Sequence, residues 1–160
     1  TPNLVELQNK LYLSNLLSKI QTLNKQLDNK PVLIKISPDL NFSQIDQILE
    51  LVNQFSIDGI IATNTSSKRD NLVSSQSRIN NIGSGGLSGR PIYIRSKEIV
   101  SYINKATNAN LPIIAVGGIM NADDAIQMFN AGASLVQIYS GFIYSGPAIV
   151  KEINNRLLQS

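Results

Sequence analysis

The chain has 160 residues, 42% of them hydrophobic and 16% charged, which is the length of one domain and a composition that excludes a disordered or fibrous protein. Its net charge of +3 comes from scattered Lys and Arg, with Lys68-Arg69 the only adjacent pair, so no nucleic-acid partner is expected. It contains no Cys and no His, which removes disulfides, thiolate and imidazole ligands, His-based triads and Cys nucleophiles, and no metal site is expected.

The first residues, TPNLVELQ, lack the basic and apolar regions of a signal peptide, and no later apolar run is long enough to span a bilayer. The expected compartment is therefore the cytoplasm. Residues 4–27 carry helical spacing in Leu4, Leu7, Leu11, Leu13, Leu16, Leu17, Ile20, Leu23 and Leu27, and Asp28-Asn29-Lys30-Pro31 stops the helix. VLIKI (32–36) is a short apolar strand with one charge, Lys35. Asn41 can cap the next helix with Gln44 as its capping-box partner, and Ile45, Ile48, Leu49 and Val52 form its apolar stripe.

DGIIATNTS (58–66) is a second strand with a polar tip. A long polar loop containing GSGGLSGRP (83–91) follows, and Pro91 opens a helix with Ile92, Ile99 and Ile103 on one face. PIIAV (112–116) is the third strand, running into Gly117-Gly118. Asn121 caps a short helix bearing Ala125, Ile126 and Phe129, which Gly132 ends. SLVQI (134–138) is the fourth strand, and the last helix is expected over 147–158. Phe42, Phe55 and Phe129 read as core or staple positions.

A helix followed by four strand–helix units predicts an α/β fold with a parallel sheet covered by helices. A doubly wound open sheet and part of a (β/α)8 barrel both satisfy that order. Gly117-Gly118-Ile119 does not fit the G-x-G-x-x-G fingerprint of a dinucleotide-binding sheet. Barrels commonly build a phosphate site from the loops after their last two strands, where the two glycine-bearing tips lie. The barrel is the better reading, and since a whole one takes about 250 residues, four strands make half of it.

The polar tips are the candidate site. Backbone N–H groups at a glycine turn can face phosphate oxygens, and a side chain at Gly118 is expected to keep such a ligand away. A plain tight turn explains one such tip; a second, at Tyr139-Ser140-Gly141, favours the anion site. Lys35 either meets a partner within the sheet or reaches past the strand end into water, and spacing does not choose between them. Thr63-Asn64-Thr65 suits a ligand with amide or imide edges, or else a side-chain-closed turn leaving the strand. Asp123-Asp124, in the first turn of a helix, most simply complements the helix dipole.

Taken together, IKISPDL, DGIIATNTS, GGLSGRP, LPIIAVGGI and AGASLVQIYSGFIYSGP resemble the C-terminal half of dihydroorotate dehydrogenases, over essentially the whole chain. VQIYSGFIYSGP with GGLSGRP is similar to the membrane-associated, quinone-reducing class. The resemblance implies a (β/α)8 barrel that binds FMN at its mouth, oxidises dihydroorotate to orotate in pyrimidine biosynthesis and passes electrons to quinone. Residues 1–160 are then one partial catalytic barrel, and the complete enzyme docks peripherally on a membrane. By the same resemblance Lys35, Thr63, Gly89, Gly118, Tyr139 and Ser140 contact the cofactor, and Asn64 and Thr65 hold the substrate.

TPNLVEL is similar to the tail of the family motif N-x-S-S-P-N-T-P-G-L-R, with Asn3 where Gly is usual and Val5 where Arg is usual. The catalytic base, a Ser, is therefore expected upstream of Thr1. Three functions remain: half of an enzyme completed by a separately encoded N-terminal half, an FMN- or phosphate-binding half barrel without turnover, and a non-catalytic remnant. A half barrel leaves VLIKI and SLVQI as open edges and one sheet face bare, so alone it is expected to aggregate, dimerise or fold only in part.

Overall fold

In a computed structural model of the chain, residues 9–70 and 72–159 are described. The four apolar runs form β1 (Leu33–Ile36), β2 (Gly59–Ala62), β3 (Ile113–Val116) and β4 (Leu135–Gln137). All pair in parallel, and their order across the sheet is their order in the chain. A doubly wound sheet reverses direction at a switch point. Here no reversal occurs, so every crossover lies on the same side, which is the construction of a barrel wall.

Alternation of side chains across the strands then creates two unlike faces. On one face the rows Ile34–Ile60–Ile113 and Ile36–Ala62–Ala115 are buried beneath the helices. On the other, Lys35, Ile61, Ile114 and Leu135 stand in register, and none of them is buried. Among the described residues β1 and β4 each have one unpaired edge.

Helix α1 (Lys10–Asn24) is capped by Asn9, whose side chain accepts from the Leu11 N–H at 3.1 Å. It ends before the expected Leu27 because the Asn24 amide turns back onto Lys30, donating to its carbonyl at 2.7 Å and accepting from its N–H at 2.9 Å. Only Leu13 and Leu17 are buried on α1, while Leu11, Leu16 and Leu23 face water. Leu4 and Leu7 of the expected stripe lie outside the described residues. Helix α2 (Phe42–Gln54) has the capping box read from its sequence, with both Asn41–Gln44 bonds at 2.9 Å.

The polar loop after β2 contains a short helix, α3 (Gln76–Asn81), anchored by buried Ile79. A 3-10 turn over Arg90–Ile92 leads into α4 (Tyr93–Ala106), whose buried face includes Tyr93, Ser96, Ile99, Val100 and Ile103. Helix α5 (Ala122–Asn130) is capped by Asn121 and buries Asp124, Ala125 and Met128, leaving Ile126 and Phe129 half-buried. The expected final helix is α7 (Ala148–Leu157), and a short helix not expected from the sequence, α6 (Ser140–Ser145), precedes it across Gly146-Pro147. Phe42 is not a core residue; it is exposed and stacks on Tyr102, ring centroids 4.2 Å apart. Phe55 is half-buried at the end of α2. Among the described residues no helix is long and apolar enough to cross a membrane.

Candidate functional site

The C-terminal ends of all four strands open onto one cleft of about 390 Å³. Lys35, Thr63, Asn64, Thr65, Gly89, Gly118, Tyr139 and Ser140 all line it. Five segments distant in sequence thus bring together every residue expected to contact cofactor or substrate. Ser88 and Gln137 add polar groups, and Ile92, Val116 and Ile119 supply apolar wall. Among the described residues Lys35 is the only charged side chain in the lining.

Lys35 stands on the open face of the sheet, exposed, and among the described residues no hydrogen bond or ion pair engages its ammonium. Of the two readings of Lys35, the one with a partner within the sheet requires burial between two layers, and this face has only one. Thr63, by contrast, is buried, and its hydroxyl pairs at 2.8 Å with that of Ser96 on α4. The peptide between Ala62 and Thr63 is cis. The Asn64 N–H donates to the Ile36 carbonyl at 2.7 Å, and its side-chain oxygen accepts from the Thr65 N–H at 2.9 Å. The local turn reading of this tip is therefore realised in part, and among the described residues the Asn64 amide NH2 is left over. Thr65 packs on Gly86 so closely that a Cβ there would come within 2.1 Å of its hydroxyl.

The glycine tips have a different cause from the one the sequence suggests. A Cβ on Gly118, at φ +75°, would lie 2.6 Å from the Tyr93 Cβ and 2.8 Å from the Gly89 carbonyl. One on Gly117 would lie 2.4 Å from the Ser96 hydroxyl. These glycines let the end of β3 dock against the start of α4, so a side chain there would strike the protein before any ligand. Gly141 does the same for the next tip, where a Cβ would come within 2.3 Å of the Ile119 carbonyl. The Ser140 hydroxyl donates to that of Ser88 at 3.2 Å, joining the β4 tip to the 83–91 loop. Tyr139 is 76% exposed at the cleft edge.

A ring of polar contacts outside the cleft holds these tips in place. The Asp39 carboxylate accepts from the Ser66 hydroxyl at 2.5 Å and from the Ser67 N–H and hydroxyl, each at 2.7 Å. Burial pushes this carboxyl up, but those bonds and nearby Lys68 outweigh it and hold it below the usual carboxylate value. Arg95 donates to the Pro38 and Leu40 carbonyls at 3.1 and 2.6 Å, fixing the segment after β1. Arg69 spans the loop after β2, donating to the carbonyls of Ile79 and Gly85. Buried Asp124 accepts from Arg90 at 2.7 Å and from the Met120 N–H at 2.9 Å. It does more than complement the helix dipole, since it clips the 83–91 loop to the segment before α5. Asp123 is the exposed member of that pair, 3.4 Å from Arg156.

Gln137 and Ser96 were overlooked although each carried a signal. Gln137 is a polar residue at an inward position of a short apolar strand, the pattern that marked Lys35. Ser96 is a hydroxyl inside the apolar face defined by Ile92, Ile99 and Ile103. Asp39, Arg90 and Arg95 had no periodic signal, because their partners lie on other elements.

The sequence matches the dihydroorotate dehydrogenase family over residues 1–160. A dihydroorotate dehydrogenase (quinone) of Christiangramia forsetii is 48% identical over 160 residues, covering 99% of this chain and 46% of the relative. One of Salinispora arenicola is 44% identical, covering 94% and 43%. A crystal structure of the dihydroorotate dehydrogenase of Eimeria tenella in complex with ferulenol superposes with a TM-score of 0.89 at 31% identity, covering 99% of this chain and 46% of that one. The ligand-free structure gives 0.88 at 32%. The chain thus spans about half the length of the relatives it matches, and the four-stranded parallel sheet is half of their (β/α)8 barrel. On fold and sequence together, the chain belongs to the dihydroorotate dehydrogenase family.

Proposed function

We propose that this half barrel supplies the FMN and substrate contacts of a quinone-dependent dihydroorotate dehydrogenase, acting in pyrimidine biosynthesis once the remaining half of the barrel is present. The observation that carries the reading is the convergence of four strand ends on one cleft where, among the described residues, the sole charge is the Lys35 cation and no ion pair engages it. A flat ligand with an anionic tail fits such a lining: apolar wall on Ile92, Val116 and Ile119, hydroxyls on Ser88 and Ser140, and an ammonium on Lys35.

FMN bound there would supply a two-electron acceptor for the hydride leaving C6 of dihydroorotate. Lys35 would stabilise negative charge on the ring system, in a cleft where the rest of the lining is neutral. Thr63, held by Ser96, would present a fixed surface to the same ring. Gly89, Gly118, Tyr139 and Ser140 would surround the phosphate. Asn64 and Thr65 would hold the substrate, the free Asn64 amide NH2 donating to a carboxylate or carbonyl oxygen of dihydroorotate. We assign the base for the C5 proton to a Ser outside these 160 residues, as the family motif implies. The quinone acceptor, named in the relatives, and peripheral membrane association of the complete enzyme belong to the same reading.

The test is to purify the chain alone and mixed with the other half of the barrel. Visible flavin absorbance and dihydroorotate-dependent dye reduction are then recorded. Bound flavin with turnover in the mixture is the expected result. Flavin without turnover would reassign the chain as a binding module, and colourless protein in both samples would leave a remnant.

A further inference from the structure

Asp39 lies outside the cleft lining, yet it ties together the segments that form one side of it. Its own backbone is fixed first. Arg95 holds the carbonyls on either side, at Pro38 and Leu40, and the Asp39 N–H donates to the Ser37 hydroxyl at 3.1 Å. From that post the carboxylate accepts three hydrogen bonds from Ser66 and Ser67, the residues directly after Asn64 and Thr65. Ser66 in turn exchanges two backbone bonds with Leu87, N–H to carbonyl at 3.0 and 2.7 Å. Gly86 sits against the Thr65 side chain. One carboxylate thereby sets the relative position of the β1 tip, the β2 tip and the 83–91 loop.

We propose that Asp39 is a positioning residue for substrate, placing Asn64 and Thr65 through Ser66 and Ser67; this rests on the reading of the cleft as the dihydroorotate site. The chemistry requires a carboxylate. Three donors converge on it, and an ionised carboxylate has only acceptor sites to offer, about four of them. An Asn at this position keeps the shape but loses the charge, and its NH2 is met only if the Ser66 hydroxyl turns round to accept, so the charge-assisted bonds that hold Ser66 and Ser67 are weakened. Charge-assisted bonds of this length are among the stronger ones in proteins. A displacement of Asn64 on the scale of 1 Å is enough to impair a positioned reaction.

The test compares wild type with Asp39→Asn in the assembled two-half enzyme. The expected result is a KM for dihydroorotate raised by about tenfold or more, with kcat within about threefold. Flavin content should change little, because Asp39 bonds to Ser66 and Ser67 and not to Lys35, Gly118 or Ser140. Amide exchange at Ser66, Ser67 and Leu87 should quicken by at least about tenfold, while Ile60 and Ile113 in the sheet keep their rates. Ser67→Ala, which removes one of the three donors and no lining residue, should show the same split at smaller size. Unchanged exchange at Ser66, Ser67 and Leu87 would overturn the proposal, and so would a joint loss of flavin, kcat and KM that marks general unfolding. Absence of flavin and turnover in the wild-type assembly would instead sink the reading of the cleft, and exchange in Asp39→Asn would then decide the clamp alone.

Discussion

At Gly118 two separate demands meet. Its φ of +75° disfavours any side chain, and a Cβ would come within 2.8 Å of backbone atoms of Gly89 and Tyr93. The first demand costs roughly 1–2 kcal/mol for a non-glycine residue, and overpacking adds roughly 1–3 kcal/mol. Gly83 separates them, because it has φ +81° but nothing within 4 Å of an added Cβ. Gly118→Ala should therefore lower the urea midpoint clearly more than Gly83→Ala, with the denaturant slope unchanged. Equal shifts would show that conformation alone, and not the docking of the β3 tip on α4, requires the glycine. Ser96 offers a complementary case. Ser96→Ala leaves the buried Thr63 hydroxyl without its 2.8 Å partner, a loss of about 1–3 kcal/mol. Adding Thr63→Val should cost less than it does in the wild type, because both ends of the pair are then apolar, and a double-mutant cycle reads that coupling directly. The glycine positions were legible in the sequence but their reason was not, since a run of Gly says nothing about which distant backbone approaches it.

Among the elements, the rim segments are held by polar contacts and so respond to pH. The Asp39 carboxyl is depressed by its bonds to Ser66 and Ser67. The unfolded chain, where it titrates near its ordinary value of about 3.9, binds the proton more readily. Stability from this group is thus fully present above that value and is lost as pH falls through the lower folded value. Wild type should lose stability below about pH 4 more steeply than Asp39→Asn, as followed by denaturant midpoints across pH 2–6. Parallel pH profiles would remove Asp39 from the acid response. The elements themselves divide by what specified them. The Asn41 and Asn121 caps and the four apolar strands depend on nearest neighbours and were legible. Helix α3 has six residues and no apolar period, and α6 is SGFIYS, which reads as part of a strand tip. Both exist because tertiary contacts place them: Arg69 reaches Ile79, and Gly141 admits the Ile119 carbonyl.

The whole molecule is asymmetric in a way that no single element reveals. The helix side of the sheet is closed by Ile34, Ile36, Ile60, Ile113 and Ala115, all buried, while the opposite face carries Leu135 at 60% exposure beside half-buried Ile61 and Ile114. Among the described residues β1 and β4 add unpaired backbone on both flanks. Exposed apolar surface next to open parallel edges drives strand addition and face-to-face association. The chain in isolation should therefore sediment as a dimer or larger species, with the weight-average mass rising with concentration. Leu135→Lys places a charge on the bare face without touching the helix-side core, and should shift the distribution toward monomer while the far-ultraviolet circular dichroism is retained. Addition of the other half of the barrel should act in the same direction, because it covers this face and pairs both edges. A concentration-independent monomer in the absence of that half would mean that the bare face is closed by some rearrangement of the sheet, and the cleft built from its four strand ends would then have to be redrawn as well.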